Sequence, residues 1–342
     1  MDVLLEAFRS LLPPVMSLAA MIVMGVALVK FKALDDHAVD VLNRVTVYLL
    51  LPLLIFSNVV GGFRPREAEF RGWYVLPIAA VVMVGLGYGL GWITHILTSS
   101  KKPRNERITF ATLCGWQNAG YIPIPIIAAL YAGALEQRML IYCFLFILGL
   151  SPTLWSLAPL SLMRTRKGMH EAIPWKKMIT PPFMANVAGI TLCLVGLPQS
   201  IPEGALDVML GPLETVGGAT IPIIMVSLGA MLALPSGEDK KAGARFNLEL
   251  IAAREIMVPL VMLGALSVIW STWGGNEGYY SLLWIQSAVP PATGLTVIAR
   301  RYASREESDR LNGAILWTYI AAAFLMPTWL ALGRAVLPFF EV

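Results

Sequence analysis

The chain has 342 residues, of which 57% are hydrophobic and 14% charged, with a formal net charge of +4 and a mean hydropathy of +0.68. Water-soluble domains carry about a quarter charged residues, so a single aqueous core is excluded and lipid must serve as part of the solvent. Basic residues scattered over many short segments exclude a nucleic-acid footprint, and three cysteines (Cys114, Cys143, Cys193) without paired spacing suggest neither a disulfide framework nor a zinc site.

A helix needs roughly 20 apolar residues to cross the hydrocarbon layer. In chain order the runs fall at 12–31, 41–60, 72–97, 108–131, 139–162, 180–197, 212–234, 249–270, 279–299 and 311–338, which gives ten spans. The runs are continuous, not alternating, so a barrel is excluded. Asp2 and Glu6 precede the first run and no small-residue cleavage site follows it, so span 1 is expected to be retained, not a cleaved leader. Spans and short polar loops use up almost the whole chain, with no soluble domain expected beside them.

The loops after spans 1, 3, 5, 7 and 9 hold the basic clusters: Lys30 and Lys32; Lys101, Lys102, Arg104 and Arg107; Arg164, Arg166, Lys167, Lys176 and Lys177; Lys240, Lys241 and Arg245; Arg300, Arg301, Arg305 and Arg310. The opposite side has Arg9, Arg64, Arg66, Arg71, Arg138 and Arg334. Positive loops stay in the cytoplasm, so both termini are expected outside it, in a bacterial inner membrane, with segment 164–179 a cytoplasmic linker.

Proline positions suggest that the chain is written twice. Pro13-Pro14 opens span 1 as Pro181-Pro182 opens span 6; Pro52 matches Pro222, Pro77 matches Pro259, and Pro123 with Pro125 matches Pro290 with Pro291. A five-span unit is odd, so the second copy (180–342) enters the membrane inverted relative to the first (1–163), an arrangement frequent in secondary transporters. The expected fold is therefore an all-α membrane protein with ten transmembrane helices as two inverted five-helix repeats.

Spans 4 and 9 are the informative ones. Each proline lacks an N–H and crowds the carbonyl four residues earlier, so Pro123 and Pro125 free the carbonyls of Ala119 and Tyr121, and Pro290 and Pro291 free those of Gln286 and Ser287. Such backbone must face protein or a wet cavity, not lipid. Gln117 and Asn118 lie about 15 Å in from one side and Pro290-Pro291 about 18 Å in from the other, at ~1.5 Å per residue. The two breaks can therefore meet near the midplane. A second half-helix starting at a proline presents open N–H groups and the positive end of its dipole. Beside the amides of Gln117, Asn118 and Gln286 this suits an anion, a carboxylate above all. No acidic residue lies near either break in sequence, so a cation site is not expected. An isolated amide of this kind is ordinarily interhelical glue; two amide-plus-proline breaks at matching depth favour a binding site.

Other polar residues read as structural. Asn186, Ser57 and Asn58 suit glue, Glu214 reaches water, and Arg254 with Glu255 near the end of span 8 suits snorkelling or an ordinary pair. His37, His95 and His170 fall in loops or at span ends. Gly85, Gly87, Gly89 and Gly91 give two GxxxG spacings, a sign of close helix packing.

Three stretches resemble the auxin efflux carrier family, the PIN-like carriers and their bacterial relatives. They are Leu34-Asp35 through Asn43-Arg44 to Leu51-Pro52-Leu53-Leu54-Ile55-Phe56; Gln117-Asn118 with Ile122-Pro123-Ile124-Pro125; and Gln286-Ser287-Ala288-Val289-Pro290-Pro291 running to Ala299-Arg300-Arg301-Tyr302. Ser227-Leu228-Gly229 also fits. The resemblance implies a scaffold of spans 1, 2, 6 and 7 that forms a homodimer. It implies a transport unit of spans 3–5 and 8–10 that moves as an elevator and carries auxin-like or dicarboxylic acids. It places substrate contact on Asn118 and on Gln286 to Pro291. The short 163–178 loop, Gln117 before Asn118 and Pro291 after Pro290 depart from the plant pattern and favour a bacterial-type member.

The sequence thus points to a transporter of a small organic anion in the lipid bilayer, with no cofactor. The site residues are Gln117, Asn118, Tyr121, Pro123, Pro125, Gln286, Ser287, Pro290 and Pro291. A sodium-coupled symporter of the bile-acid type is the alternative. An enzyme would need paired acids, a metal motif or a nucleophile with its base inside the spans, and a sensor would need a signalling domain; the sequence presents neither.

Overall fold

The computed structural model describes residues 2–98, 103–166, 178–234 and 243–340. Among them the chain is helical throughout, apart from connecting turns and one isolated antiparallel bridge between Gln117 and Pro291. Lys101, Lys102, Lys167, His170, Lys176, Lys177, Lys240 and Lys241, and most of the 164–179 linker, lie outside the described residues.

The first half runs through α1 (Asp2–Lys30), α2 (Asp36–Val45), a π-helical turn (Thr46–Leu50), α3 (Leu51–Gly62), α4 (Val75–Thr98), α5 (Arg104–Gly115), α6 (Pro123–Leu130) and α7 (Gly133–Met163). The second runs through α8 (Pro181–Leu194), the short α9 (Leu197–Ser200), α10 (Glu203–Gly218), α11 (Thr220–Ala233), α12 (Ala244–Ile251), a second π-helical turn (Ala252–Met257), α13 (Val258–Trp273), α14 (Glu277–Ser287), α15 (Gly294–Tyr302) and α16 (Arg305–Val336). Among the described residues seven stretches are long and apolar enough to cross a membrane, and α8 is a shorter apolar helix. The expected spans 4 and 9 are each two short helices, α5 with α6 and α14 with α15.

Local chemistry explains the boundaries. Asp35 accepts from the Ala38 N–H at 2.7 Å and caps α2, and Thr180 accepts from Phe183 N–H to cap α8 just before Pro181. Both π-helical turns precede a proline, Pro52 and Pro259. A missing N–H leaves a carbonyl without its helical donor, and the ladder widens there. For Pro259 that carbonyl is Glu255's, and the indole Nε1 of Trp329 takes it at 2.7 Å.

Packing separates two groups of helices. α1 lies along α11, and α3 lies against α8 and α10. α4 lies along α5 and α7, and α16 contacts α5, α12 and α15. The groups meet mainly where α1 touches α16 and α6, and where α3 and α8 touch α7. Backbone contact is closest between α1 and α11: a Cβ on Gly229 would fall 1.9 Å from the Ile22 carbonyl oxygen, and one on Gly25 would fall 2.0 Å from that of Val226. Gly229→Ala is therefore expected to lower stability by about 1–3 kcal/mol, the usual cost of overpacking. Gly218→Ala, with open space at the same atom, should stay within about 0.5 kcal/mol. Thermal unfolding in detergent checks the pair; equal melting temperatures would disprove the close crossing.

Only one of the two glycine ladders in α4 is packed. Cβ atoms on Gly87 and Gly91 would lie 2.4 Å and 2.6 Å from atoms of Cys114, whereas Gly85 and Gly89 face open space.

Candidate crossover site

The helix α5 stops at Gly115 and α6 starts at Pro123, because Pro123 and Pro125 cannot donate into the preceding turn. The helix α14 stops at Ser287, but α15 starts only at Gly294, three residues beyond Pro291. The expectation that each second half-helix begins at a proline holds for α6 and fails for α15. The reason is that the carbonyls of residues 289–291 are held by other elements and cannot enter a helix.

The two breaks are hydrogen-bonded to each other. Asn118 N–H donates to Pro290 O at 2.8 Å, and Ala292 N–H donates to Trp116 O at 2.8 Å, on either side of the Gln117–Pro291 bridge. The Tyr319 hydroxyl, from the middle of α16, donates to Pro291 O at 3.1 Å and accepts from Asn118 Nδ2. Arg254 Nη2 donates to Val289 O at 2.6 Å. The Ala119 carbonyl, which Pro123 deprives of a helical donor, accepts from Gln286 Nε2 at 3.0 Å and from the Cys143 thiol at 3.3 Å. The freed Ala119 carbonyl and the carbonyls of residues 289–291 have thus found donors inside the protein.

The sequence-derived residues separate accordingly. Asn118 Oδ1 accepts from Tyr121 N–H at 3.0 Å and so shapes the first break. Gln286 ties α14 to that break. Gln117 is buried with Nε2 unpartnered, and Gln286 Oε1 is likewise unpartnered. Pro123 and Pro125 are buried in the first turn of α6. Ser287 is not brought to the site: its hydroxyl turns back to Trp284 O at 2.7 Å, and it is fully buried. The partly open surface at the crossing belongs to Gly120, Tyr121, Ile122, Thr293 and Gly294. The N–H groups of Ile124, Leu295 and Thr296 are taken by Gly120, Ala292 and Thr293 carbonyls, whereas those of Gly120, Ile122, Thr293 and Gly294 make no bond among the described residues. The open amides are therefore fewer than the sequence suggests, and they sit on the accessible rim.

Two sequence readings need correction. Arg254 and Glu255 do not snorkel, because each is about 1% exposed. They lie roughly 15 Å from the Ala244 end of α12, at ~1.5 Å per residue, not beside the end of a span. Nor is the crossover remote from acids: Glu255 is a charge neighbour of the Tyr319 hydroxyl. Tyr319, Arg254 and Cys143 are the members the sequence did not reveal. Counting the depth of Arg254 from a polar helix start would have found one of them. Asn186 does act as interhelical glue, its Nδ2 donating to Phe144 O. Ser57 and Asn58 bond within their own helix, to Leu54 O. His95, expected at a span end, is near the end of α4 and fully buried against Phe110. An open cavity of about 690 Å³ lies elsewhere, at the far ends of α6 and α16, lined by Tyr131, Leu135, Arg334 and Phe340.

Comparison with known proteins places the chain as a whole in a family. Residues 10–330 match the family model described as membrane transport protein. An uncharacterized transporter of Methanothermobacter thermautotrophicus is 22% identical over 92% of this chain and 96% of its own length. The Arabidopsis thaliana protein PIN-LIKES 3 is 22% identical over 95% of this chain and 97% of its own. PIN-LIKES 2 of the same plant is 30% identical over 48% of this chain and 37% of its own. With a family match across nearly the whole chain and an all-helical body rich in apolar spans, this multi-pass membrane protein belongs to the membrane transport protein family of auxin efflux carriers and PIN-like proteins.

Proposed function

We propose that the chain is a secondary transporter that carries a small organic anion, an auxin-like or dicarboxylic acid, by an elevator-type alternating-access movement. The observation that carries this reading is the mutual pairing of the two breaks, Asn118 to Pro290 and Ala292 to Trp116. Irregular backbone inside an apolar bundle is tolerated only where it is buried in protein or lines a cavity. Here it presents the amides of Gly120, Ile122, Thr293 and Gly294 beside two half-helix starts, α6 and α15. Amides and dipoles of that sense favour a negative guest. A carboxylate among them is the substrate group; Asn118, Tyr121 and Gln286 set the shape of the cradle.

The wider architecture follows from the same reading. The ten traversals form two inverted five-helix repeats, 1–163 and 180–342. The α1, α3, α8, α10 and α11 group forms the scaffold, spans 1, 2, 6 and 7, and is the homodimer contact. Spans 3–5 and 8–10 carry the crossover past it. The charge asymmetry of the loops supports both termini lying outside the cytoplasm of a bacterial-type cell membrane.

The test is a thermal-shift screen of purified protein against mono- and dicarboxylic acids, followed by uptake into liposomes. One carboxylate class is expected to raise the melting temperature, and uptake is expected to persist when choline replaces sodium. If no carboxylate stabilised the protein or crossed the liposome membrane, the anion reading would be lost. Uptake that stopped without sodium would favour the bile-acid type of symport.

A further inference from the structure

Two charged side chains lie buried behind the crossover. Arg254 and Glu255 sit side by side on the π-helical turn Ala252–Met257, each about 1% exposed. Ionisable side chains at such depth in a membrane protein are costly and usually functional. Arg254 reaches the crossover itself, through Val289 O, one residue before the Pro290 carbonyl that holds Asn118. Its Nε has no partner, and neither has Glu255 Oε1. Among the described residues the titratable groups facing Glu255 are Arg254 on its own turn, Cys114 from α5 and Tyr319 from α16. From α4 the turn meets Thr94, at Met257 Sδ. The α12 charges Arg245 and Glu249 pair with each other, and α13 carries none. Tyr319 joins the two regions, being hydrogen-bonded to Asn118 and Pro291 and a charge neighbour of Glu255.

We propose that Glu255 is the proton-coupling group of the transporter, with Arg254 as the charge through which it acts on the anion. When Glu255 is ionised, its charge offsets Arg254 behind the crossover. When it is protonated, Arg254 stands as a net positive charge against the same backbone that cradles the anion. Anion binding and protonation then favour each other by equal factors, as linkage requires. A buried carboxylate oxygen without a donor is also costly, and a proton removes that cost. The cycle balances: one proton passes from water to the Glu255 carboxylate as one anion binds. Both leave to water on the other side, with no covalent bond made or broken. The result is symport of one proton with each anion carried.

This inference rests on the anion reading of the crossover, and the experiment separates the two. Full-length purified protein is titrated with malate and with indole-3-acetate at about pH 6.5 and 8.5, where both probes are ionised. Affinity is read by thermal shift, and proton uptake by calorimetry in two buffers of different ionisation enthalpy. The wild type is expected to bind at least one probe on the order of tenfold more weakly at the higher pH, a normal size for linked sites, and to take up protons on binding. Glu255→Gln, permanently neutral, is expected to bind at both pH values as the wild type does at the lower one, without proton uptake. Wild-type binding that is independent of pH, or a pH dependence that survives in Glu255→Gln, overturns the coupling and leaves the anion site standing. Affinity that follows sodium instead of pH also overturns it. If neither probe bound the wild type at either pH while other carboxylates did, the same titration with those would decide. If no carboxylate bound, the anion reading and this inference would fall together. Should Glu255→Gln fail to fold, Glu255→Asp decides: proton uptake on binding with its pH dependence moved from that of the wild type supports Glu255 as the group, and an unmoved pH dependence overturns it.

Discussion

Asn118→Ala is expected to weaken carboxylate affinity roughly thirtyfold, which corresponds to about 2 kcal/mol, while the protein still folds. The backbone bond from residue 118 to Pro290 O survives the substitution, so the two breaks stay joined. What disappears is the side chain that accepts from Tyr121 N–H and donates to the Tyr319 hydroxyl. A buried or half-buried polar group stripped of its partner costs about 1–3 kcal/mol, and here two groups lose one. Tyr121 and Ile122, on the accessible rim of the first break, are then free to shift, and the cradle loses its shape. Tyr319→Phe removes one hydroxyl from the same chain of bonds and leaves Asn118 Oδ1 on Tyr121, so its effect should be smaller, about fivefold, or roughly 1 kcal/mol. Thermal-shift titration with malate and indole-3-acetate measures both. Unchanged affinity in Asn118→Ala would remove this residue, and the cradle built around it, from the site.

The breaks were legible in the sequence because proline acts locally. Absence of one N–H and a clash with one carbonyl can be read from Pro123 or Pro290 without knowing any neighbour. Their meeting was legible through depth alone, since a rise per residue converts position into distance. What depth could not supply is the identity of the partners that take the freed carbonyls. Tyr319 lies 201 positions away in sequence from Asn118, and nothing in the run around it marks that tyrosine as different from a membrane-interface aromatic. Arg254 and Glu255 were misplaced for a second reason. Hydropathy starts span 8 at 249, because Arg245 and Asn247 count against an apolar window, whereas the helix begins at Ala244. Five missed residues moved two charges from the core to the rim. Ser287 shows the reverse limit: a hydroxyl beside a break looks available, but a serine on a helix can turn back to its own carbonyl, as this one does to Trp284.

Replacing both Pro290 and Pro291 by alanine is expected to abolish transport, and replacing either alone is not. Alanine is favoured over proline inside a helix by about 3 kcal/mol per residue, so the double substitution moves the balance by roughly 6 kcal/mol toward one continuous helix from α14 into α15. The interactions that oppose it are four: Asn118 to Pro290, Trp116 to Ala292, Tyr319 to Pro291 and Arg254 to Val289. At about 1 kcal/mol for each neutral bond and about 1.5–3 for the charged one, they hold against a single substitution and are overtaken by two. A straight helix would withdraw the carbonyls of residues 289–291 into its own ladder and take from Arg254 Nη2, the Tyr319 hydroxyl and Asn118 N–H the acceptors they have now. It would also remove Thr293 and Gly294 N–H from the rim, where the anion is expected to bind. Uptake of whichever carboxylate the screen identifies, into liposomes carrying each of the three variants, reads the difference directly. The single variants should retain measurable flux, and the double variant none. Ordinary flux through the double variant would mean that the second break is not needed, and a transport site built on two crossing interruptions could not be maintained.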